Sequence, residues 1–259
     1  MGPLATSALS LIRSTRAMSL PHWGNVEVAA TKNGSATDVV TEIDLAIEEY
    51  LATEFARLDS SIGFVGEEHG GDRGKARHWL VDPIDGTAHY VRGIPFCTTM
   101  VALIEDGQVT FSAIYDFVND VMYHALRGGG AFKNGEALHV SDRPLASAYM
   151  CYESDLGKGD NLKTYLAFKE QAQIIQTLNA GYEFSLIASG KLEGRICLDP
   201  YGKDYDFAPG SLLVAEAGGV VANIGSTGFD YTNLDFVATN KSVYDALTSG
   251  EGALFPLRV

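Results

Sequence analysis

The sequence of 259 residues has few cysteines, few cations and no long apolar run. Its three cysteines, Cys97, Cys151 and Cys197, are widely separated and form no Cys-x-x-Cys pair. A zinc site is therefore not expected, and free thiols in a reducing compartment, the cytoplasm, are the default. No apolar stretch approaches the roughly 20 residues that a membrane-spanning helix needs, so no membrane span is predicted.

Cations are outnumbered, with 19 Lys and Arg against 33 Asp and Glu and a formal net charge of -14. This balance disfavours general binding to nucleic acid or to an anionic membrane surface. The hydrophobic content of 46% is typical of a globular enzyme. A phosphate substrate would need cations in its site to offset the acidity of the chain.

The alternation of apolar strand-like runs with helical stretches predicts strands covered by helices, with a candidate domain boundary near Ser141–Pro144. Before Val26, a first helix is predicted in place of a transit peptide. A second helix ends near Leu58 and has Asp38 or Thr37 near its start. An antiparallel meander over 96–104, 109–115 and 121–126 is followed by strands at 149–152 and 173–178 and by a helix over 206–217.

The segment Trp79-Leu-Val-Asp82-Pro-Ile-Asp85-Gly-Thr87 carries the strongest chemical signal. It is an apolar run that ends in two carboxylates, and Pro83 keeps Asp82 extended at the tip of a strand. Paired carboxylates suit hard divalent ions such as Mg²⁺. Gly86 and Thr87 offer backbone amides to a phosphate if a helix begins there. The alternative is a surface Asp-Gly turn with a capping threonine.

Two further acidic segments favour the metal site over the surface turn. Glu67, in Gly66-Glu67-Glu68, follows the apolar run 62–65, and Asp206 opens a helical run that leads to Glu216-Ala-Gly-Gly219. With these segments in this order, the chain resembles the inositol monophosphatase family of magnesium-dependent, lithium-sensitive phosphatases. The segments Asp38-Val-Val-Thr41-x-x-Asp44 and 128–135 also resemble family segments, so the resemblance covers nearly the whole chain.

The resemblance implies an α/β protein, a layered αβαβα sandwich with an N-terminal α+β part over 1–142 and a C-terminal α/β part over 143–259. It also implies roles for individual residues. Glu67, Asp82 and the carbonyl of Ile84 would hold one Mg²⁺, and Asp82, Asp85 and Asp206 would hold a second, with a third ion near Glu67. Thr87 and Asp44 would activate water, and the amides of Gly86 and Thr87 would bind the phosphoryl oxygens. From the residues alone, Asp44 could instead be a solvated helical acid.

The remaining assignments concern substrate and assembly. Asp85, Asp199 and Lys203 are candidate substrate contacts, Lys32 matches a loop lysine near the third ion, and Glu68 is either a surface acid or a support for the site. Family members are often homodimers, which implies the same here. His89 and His124 are expected to be packed or surface residues.

The predicted function is Mg²⁺-dependent hydrolysis of a small phosphomonoester by a metal-activated water, with inositol monophosphate or a related sugar or polyol phosphate as substrate. The chain departs from the animal inositol enzymes at 177–184 and at Tyr205, which stands where the family usually has Trp. Histidinol phosphate and 3'-phosphoadenosine phosphate therefore remain alternative substrates. A catalytically silent metal-binding or interaction protein on the same fold is the alternative from another class.

Overall fold

The computed structural model describes residues 2–31 and 39–258. Its helices are α1 (Pro3–Ser14), α2 (Arg16–Ser19), α3 (Glu42–Leu58), α4 (Thr87–Val91), α5 (Asn161–Lys169), α6 (Ala180–Ala188), α7 (Asp204–Glu216) and α8 (Lys241–Thr248). Short 3₁₀ helices lie at Leu20–His22 and Leu145–Ser147. The first helix predicted from the sequence is confirmed, and its Ala8 and Ile12 are buried.

The strands of the same residues are β1 (Val28–Thr31), β2 (Val39–Thr41), β3 (Gly63–Gly66), β4 (Gly70–Gly71), β5 (Arg77–Asp85), β6 (Thr98–Glu105), β7 (Gln108–Asp116), β8 (Val121–Leu126), β9 (Gly130–Lys133), β10 (Glu136–Ala137), β11 (Tyr149–Ser154), β12 (Gln173–Ile174), β13 (Gly194–Leu198), β14 (Val220–Asn223) and β15 (Phe236–Thr239). An eight-stranded sheet has the order β10-β9-β8-β7-β6-β5-β3-β4, and a five-stranded sheet has the order β12-β11-β13-β15-β14. β1 and β2 form a separate antiparallel pair.

Three hydrophobic clusters show that the elements stack in five layers. One cluster joins α1 and α3 to one face of the eight-stranded sheet through residues such as Trp79. A second places α6 and α7 between the two sheets, with Leu80 on one side and Phe236 on the other. The third covers the outer face of the five-stranded sheet with α5 and α8. The predicted αβαβα sandwich is therefore confirmed.

The two sheets lie on either side of the boundary predicted near residue 142, since β3–β10 precede it and β11–β15 follow it. Helices α6 and α7 nevertheless pack on the eight-stranded sheet, so one cluster contains residues from both halves. The division into two parts stays a prediction. No helix within the described ranges combines the length and apolarity that crossing a bilayer would require.

The meander predicted over 96–126 is confirmed as β6, β7 and β8, each antiparallel to the next. Asn134-Gly135 forms the hairpin turn between β9 and β10, with φ of 48° and 88°, as the sequence pattern indicates. The glycine-rich turn before β9 is held by Glu216 of α7, whose carboxylate accepts from the N–H groups of Gly128 and Gly130.

Two predicted boundaries are wrong. Helix α3 begins at Glu42, because Thr41 caps it by accepting from the N–H of Ile43; Thr37 and Asp38 lie outside the described residues. The strand predicted over 173–178 ends at Ile174. Beyond it, Glu183 accepts from both the N–H and the hydroxyl of Thr177, which draws the chain towards α6 and away from the sheet edge.

Candidate active site

Parallel pairing of β3 and β5 brings the first two acids together. Gly66 is the register partner of Val81, and the next residues along the two strands are Glu67 and Asp82. The N–H of Glu67 donates to the carbonyl of Val81 at 3.0 Å. Because both strands end at the same edge of the sheet, their carboxylates leave the sheet at one place.

A bulge in β5 aligns Asp85 with Asp82. Asp82 lies opposite Met100 of β6 and Asp85 lies opposite Thr98, so three steps on one strand match two on the other. In a regular strand, residues three apart point to opposite faces. The extra residue reverses that alternation, and Pro83 is tolerated because bulged residues need no ladder hydrogen bond.

Asp206 comes from the first turn of α7, more than 100 residues further along the chain. The N–H of Lys203 donates to its carboxylate, which fixes the side chain at the helix N-terminus. One carboxylate oxygen from each of Asp82, Asp85 and Asp206 lies within 4.8 Å of the other two. This spacing allows the three groups to share bound cations.

The electrostatics of the cluster fit a cation site. Burial raises the pKa of Asp82 well above its ordinary value, and the charges of Glu67 and Asp85 raise it further. Burial raises the pKa of Asp85 to about 7, and burial followed by the charge of Asp85 raises the pKa of Asp206. Oδ1 of Asp82 is buried with no hydrogen-bond partner among the described residues. An all-oxygen donor set with this much uncompensated negative charge suits hard divalent ions.

Thr87 and Asp44 lie beside the cluster. The hydroxyl of Thr87 is 3.0 Å from Oδ1 of Asp44 and 2.9 Å from the carbonyl oxygen of Ile84, two alternative acceptors for its single proton. Oδ2 of Asp44 accepts from the N–H of Thr41 at 2.8 Å and from its hydroxyl. Burial raises the pKa of Asp44, against the lowering effect of these hydrogen bonds. Asp44 is buried, so the solvated helical acid is excluded.

Gly86 makes the turn from β5 into α4 possible. Its φ of 85° belongs to the left-handed region, and a Cβ there would lie 2.6 Å from the carbonyl oxygen of Phe96. Gly86 and Thr87 begin α4 at the edge of the acidic cluster. The first N–H groups of a helix have no acceptor inside the helix, so these two amides have no intrahelical partner. Asn179 supports the turn by donating to the carbonyl of Asp85 at 2.7 Å.

A cavity of about 480 Å³, here called the metal-side cavity, joins these groups. Glu67, Asp82, Ile84, Gly86, Thr87 and Asp206 line it together with Val39, Ala88, His89, Arg92, Ile94 and Leu178. His89 meets the ring of Phe96 edge to face in the wall of this cavity, which agrees with the expectation of a packed residue. His124 is buried and stacks on Phe132.

The predicted residues outside this cavity have other surroundings. Asp199 is bonded to Lys158 and Asn161 and lines a separate surface depression. Lys203 is exposed and contributes its backbone N–H to Asp206. The N–H of Glu68 donates to Glu48 at 2.8 Å. Lys32 lies outside the described residues. The structure therefore brings neither Asp199 nor Lys203 to the metal-side cavity.

Glu48, like Asn179, is a residue of the site that sequence reasoning missed. It is buried on α3, one turn after Asp44, and accepts from the N–H groups of Glu68 and His69 at 2.8 Å each. A Cβ on Gly66 would lie 2.2 Å from its carboxyl carbon, so glycine is needed there. The signal was present in the sequence, because Glu48 lies on the apolar stripe of the helix between Ile47 and Leu51.

Comparison with known proteins adds independent evidence. A family model described as the inositol monophosphatase family matches residues 3–251. The inositol-1-monophosphatase of Mesorhizobium japonicum is 30% identical over 235 residues, which cover 87% of each chain. The Nus factor SuhB of Xylella fastidiosa is 30% identical over 229 residues, which cover 85% of this chain and 82% of the relative. Among solved structures, Thermotoga maritima IMPase has a TM-score of 0.83 at 25% identity, with 93% of both chains covered.

The layered fold, the carboxylate cluster and these relatives together define a phosphoric monoester hydrolase of the metal-dependent type. The class follows from the site as well as from the fold, because the acids that could hold cations adjoin a threonine–aspartate pair and a helix N-terminus. The chain belongs to the inositol monophosphatase family. The resemblance drawn from its motifs is thereby confirmed.

Proposed function

We propose that the protein hydrolyses a small phosphomonoester with Mg²⁺ as its cofactor and water as the nucleophile, without a covalent enzyme intermediate. The observation that carries this proposal is the convergence of Asp82, Asp85 and Asp206 within 4.8 Å. Glu67 and the carbonyl of Ile84 border the same cavity, and we assign them to the cation site as well. Two or three bound divalent ions would supply electrostatic stabilisation of the attacking and leaving oxygens of an in-line displacement.

The protein supplies the groups that orient the water and receive its proton. When the Thr87 hydroxyl donates to Asp44, its oxygen can accept from a water in the metal-side cavity. Asp44 is the final proton acceptor, since Thr41 saturates one of its oxygens and the other faces Thr87. We assign to the amides of Gly86 and Thr87 the role of donating to the phosphoryl oxygens as charge develops on them.

The identity of the alcohol is a finer question. The names of relatives make inositol monophosphate, or a related sugar or polyol phosphate, the first substrate to test. Histidinol phosphate and 3'-phosphoadenosine phosphate are the alternatives. We also infer that the enzyme is sensitive to lithium. The three buried free cysteines are consistent with a cytoplasmic location. We infer a homodimer, which a scattering-derived mass would test.

A substrate panel tests the proposal. Phosphate release from these compounds is measured with Mg²⁺, with a chelator in place of Mg²⁺, and with Li⁺ added to the Mg²⁺ reaction. We expect release that requires Mg²⁺ and is inhibited by Li⁺. Asp85→Asn should abolish release, while Asp245→Asn, an exposed acid on α8, should not. Normal rates in Asp85→Asn would refute the proposed role of the carboxylates.

The second candidate function is binding without catalysis. It is favoured by one observation, the similarity to the Nus factor SuhB of Xylella fastidiosa, a protein whose name denotes a factor and not a hydrolase. Protein that binds Mg²⁺, measured by calorimetry, but releases phosphate from none of the panel would support this alternative over hydrolysis.

A further inference from the structure

A buried arginine lies between the two helices that border the cation cluster. Arg195 of β13 is 3% exposed. Its guanidinium carbon lies 5.6 Å from the ring centroid of Phe184 on α6 and 5.2 Å from that of Phe207 on α7. Both rings lie near the N-terminal ends of their helices, where a cation is unfavourable by itself. Helix electrostatics therefore do not explain why this position carries an arginine.

Two glutamates from different elements compensate the charge of this guanidinium. Glu183 of α6 accepts from Nη1 of Arg195, and Glu153 of β11 accepts from Nη2. Nε donates to Sγ of Cys197 at 3.2 Å, so each of the three nitrogens has a partner. The planar fork of an arginine can hold two separate carboxylates in fixed directions, which the flexible ammonium of a lysine does less well. Arg195, Glu153 and Glu183 are called here the arginine node.

One arm of the node leads to Asp85. Besides the guanidinium, Glu183 accepts from the N–H and the hydroxyl of Thr177 at 3.0 Å each, which fixes the loop before α6. Asn179, at the end of that loop, caps α6 and donates to the carbonyl of Asp85 at 2.7 Å. The N–H of Gly181 donates to Oδ2 of Asp85 at 2.6 Å. The start of α6 thus holds both the backbone and the side chain of this acid.

The other arm of the node leads to Asp206. Glu153 accepts from the N–H groups of Tyr201 and Gly202 at 2.9 and 2.8 Å, which fixes the loop before α7. The next residue, Lys203, donates its N–H to Oδ2 of Asp206. A Cβ on Gly202 would lie 3.2 Å from the same oxygen. The loop held by Glu153 is therefore in close contact with the carboxylate.

An arginine node of this kind could serve stability alone. A buried ion pair offsets only part of the cost of removing its charges from water, and its replacement by neutral groups is often tolerated. Stability therefore gives little reason for the node. Both of the loops that it joins lead to acids of the cation cluster, which favours a role in the site.

The two acids come from different halves of the chain, since Asp85 ends β5 and Asp206 lies in the first turn of α7. Because one guanidinium joins the loops that hold them, we propose that Arg195 is a positioning residue that sets the separation of the Asp85 and Asp206 carboxylates for cation binding. The inference rests on the proposed function and adds to it a residue that acts through others and is not itself a cation ligand.

Conservative variants break the node one arm at a time. In Glu183→Gln and Glu153→Gln, the remaining oxygen can keep the bonds to the loop, but an NH₂ group then faces the guanidinium. Arg195→Lys keeps the charge and loses the fork. We expect each variant to bind Mg²⁺ about tenfold more weakly than the wild type, with Arg195→Lys the weakest. The loss should fall on Mg²⁺ affinity, measured by calorimetry, more than on kcat at saturating Mg²⁺.

Arg143→Lys is the matched control. Arg143 also pairs with a buried glutamate, Glu193, in the C-terminal half of the chain, and neither residue lines the metal-side cavity. We expect its Mg²⁺ affinity to equal that of the wild type. A loss as large as that of Arg195→Lys would overturn the inference, because it would show that any such ion pair supports binding equally.

Amide hydrogen exchange of the metal-free protein tests the two arms separately. Glu183→Gln should speed exchange at 177–181 and leave 201–206 unchanged, and Glu153→Gln should do the reverse. Arg195→Lys should speed exchange in both segments. Exchange that rises evenly over the whole chain in all three variants would mean that the node only stabilises the fold, and it would overturn the inference.

A neutral node separates position from stability. Arg195→Met combined with Glu153→Gln and Glu183→Gln removes the three charges together and leaves no buried charge unpaired, a change that proteins often tolerate. We expect this variant to have a Tm close to that of the wild type and to bind Mg²⁺ about tenfold more weakly. It decides the matter if Arg195→Lys fails to fold. A folded neutral variant that binds Mg²⁺ as tightly as the wild type would refute the inference.

These measurements do not depend on turnover. If the wild type binds Mg²⁺ and hydrolyses no ester, the phosphatase proposal fails and the affinities of the variants still decide the role of Arg195. If the wild type hydrolyses esters and every variant of the node binds Mg²⁺ as tightly as the wild type, the inference fails and the phosphatase proposal stands.

Discussion

The two cavities that meet at Asp206 are built in different ways. The metal-side cavity takes most of its polar groups from Glu67 and from the segment 82–87. Backbone features position these groups: a parallel strand pair, a bulge and a left-handed glycine. A second cavity of about 450 Å³, called the alcohol-side cavity, is also lined by Asp206 and takes its walls from α5, α6, α7, β11, β13, the end of β5 and the loops at 176–179 and 201–202. Arg195 of β13 joins these walls through ion pairs with Glu153 and Glu183. Most groups of the metal-side cavity therefore lie close together in the chain, with Asp206 as the distant member, whereas the walls of the second cavity come from several distant segments.

Together with Asp85→Asn, Asp206→Asn should have the largest effect, because Asp206 belongs to the cation cluster and lines both cavities. Loss of one carboxylate from the cluster weakens cation binding as well as transition-state stabilisation. Removal of a residue that only supports a metal ligand lowers activity by about 10–100-fold. We expect kcat/KM of Asp206→Asn to fall by more than this. Steady-state kinetics across a Mg²⁺ titration would measure it, with Asp245→Asn as the exposed control. A fall confined to KM for the organic substrate would place Asp206 in the alcohol-side cavity alone.

Thr87→Val should have the next largest effect and separates chemistry from binding. Valine keeps the shape but lacks the hydroxyl that donates to Asp44, so proton removal from the water is impaired. We expect kcat to fall about 100-fold with KM nearly unchanged, and Thr87→Ser to recover most of the rate. Thr53→Val, on the exposed side of α3, is the matched control. Failure of the serine variant to recover activity would argue against a role for the hydroxyl.

The contrast between the cavities explains what the sequence could predict. Asp82, Asp85 and Asp206 each follow or open an apolar element, so their meeting could be inferred from strand ends and a helix start. The five-layer order followed from the family resemblance. The end of β12 could not be inferred, because 173–178 has the apolar content of a strand and leaves the sheet only through the contact of Thr177 with Glu183. The partners of Arg195 likewise become neighbours only after the chain has folded.

Glu48→Gln should have an intermediate effect, because Glu48 positions the loop that carries Glu67. Glu48 accepts from the N–H groups of Glu68 and His69 with its two carboxylate oxygens. Glutamine keeps only one accepting oxygen, so one of these two bonds is lost and the NH₂ group faces an N–H donor. The loop that carries Glu67 should shift, with about a tenfold loss of Mg²⁺ affinity and little change in kcat at saturating Mg²⁺. Calorimetric titration would show it, with the exposed neighbour Glu49→Gln as control. An equal loss of kcat at saturating Mg²⁺ would contradict a purely positioning role.

The smallest expected effect concerns the stability of the metal-free protein. Asp85 has a pKa of about 7 in the folded chain against 3.8 as its ordinary value, so the folded state binds the proton more tightly than the unfolded state. Stability without metal should therefore decrease as pH rises from about 4 to about 7. Asp85→Asn cannot ionise, so its Tm should decline less over this range and exceed that of the wild type by several degrees at pH 8.

Mg²⁺ should reverse the order, because the ion stabilises only the intact cluster. Thermal unfolding at several pH values, with and without a chelator, would measure both effects. Identical pH slopes for the two metal-free proteins would mean that the carboxylate at 85 does not oppose folding, and that the acids of the cluster are already compensated within the protein itself.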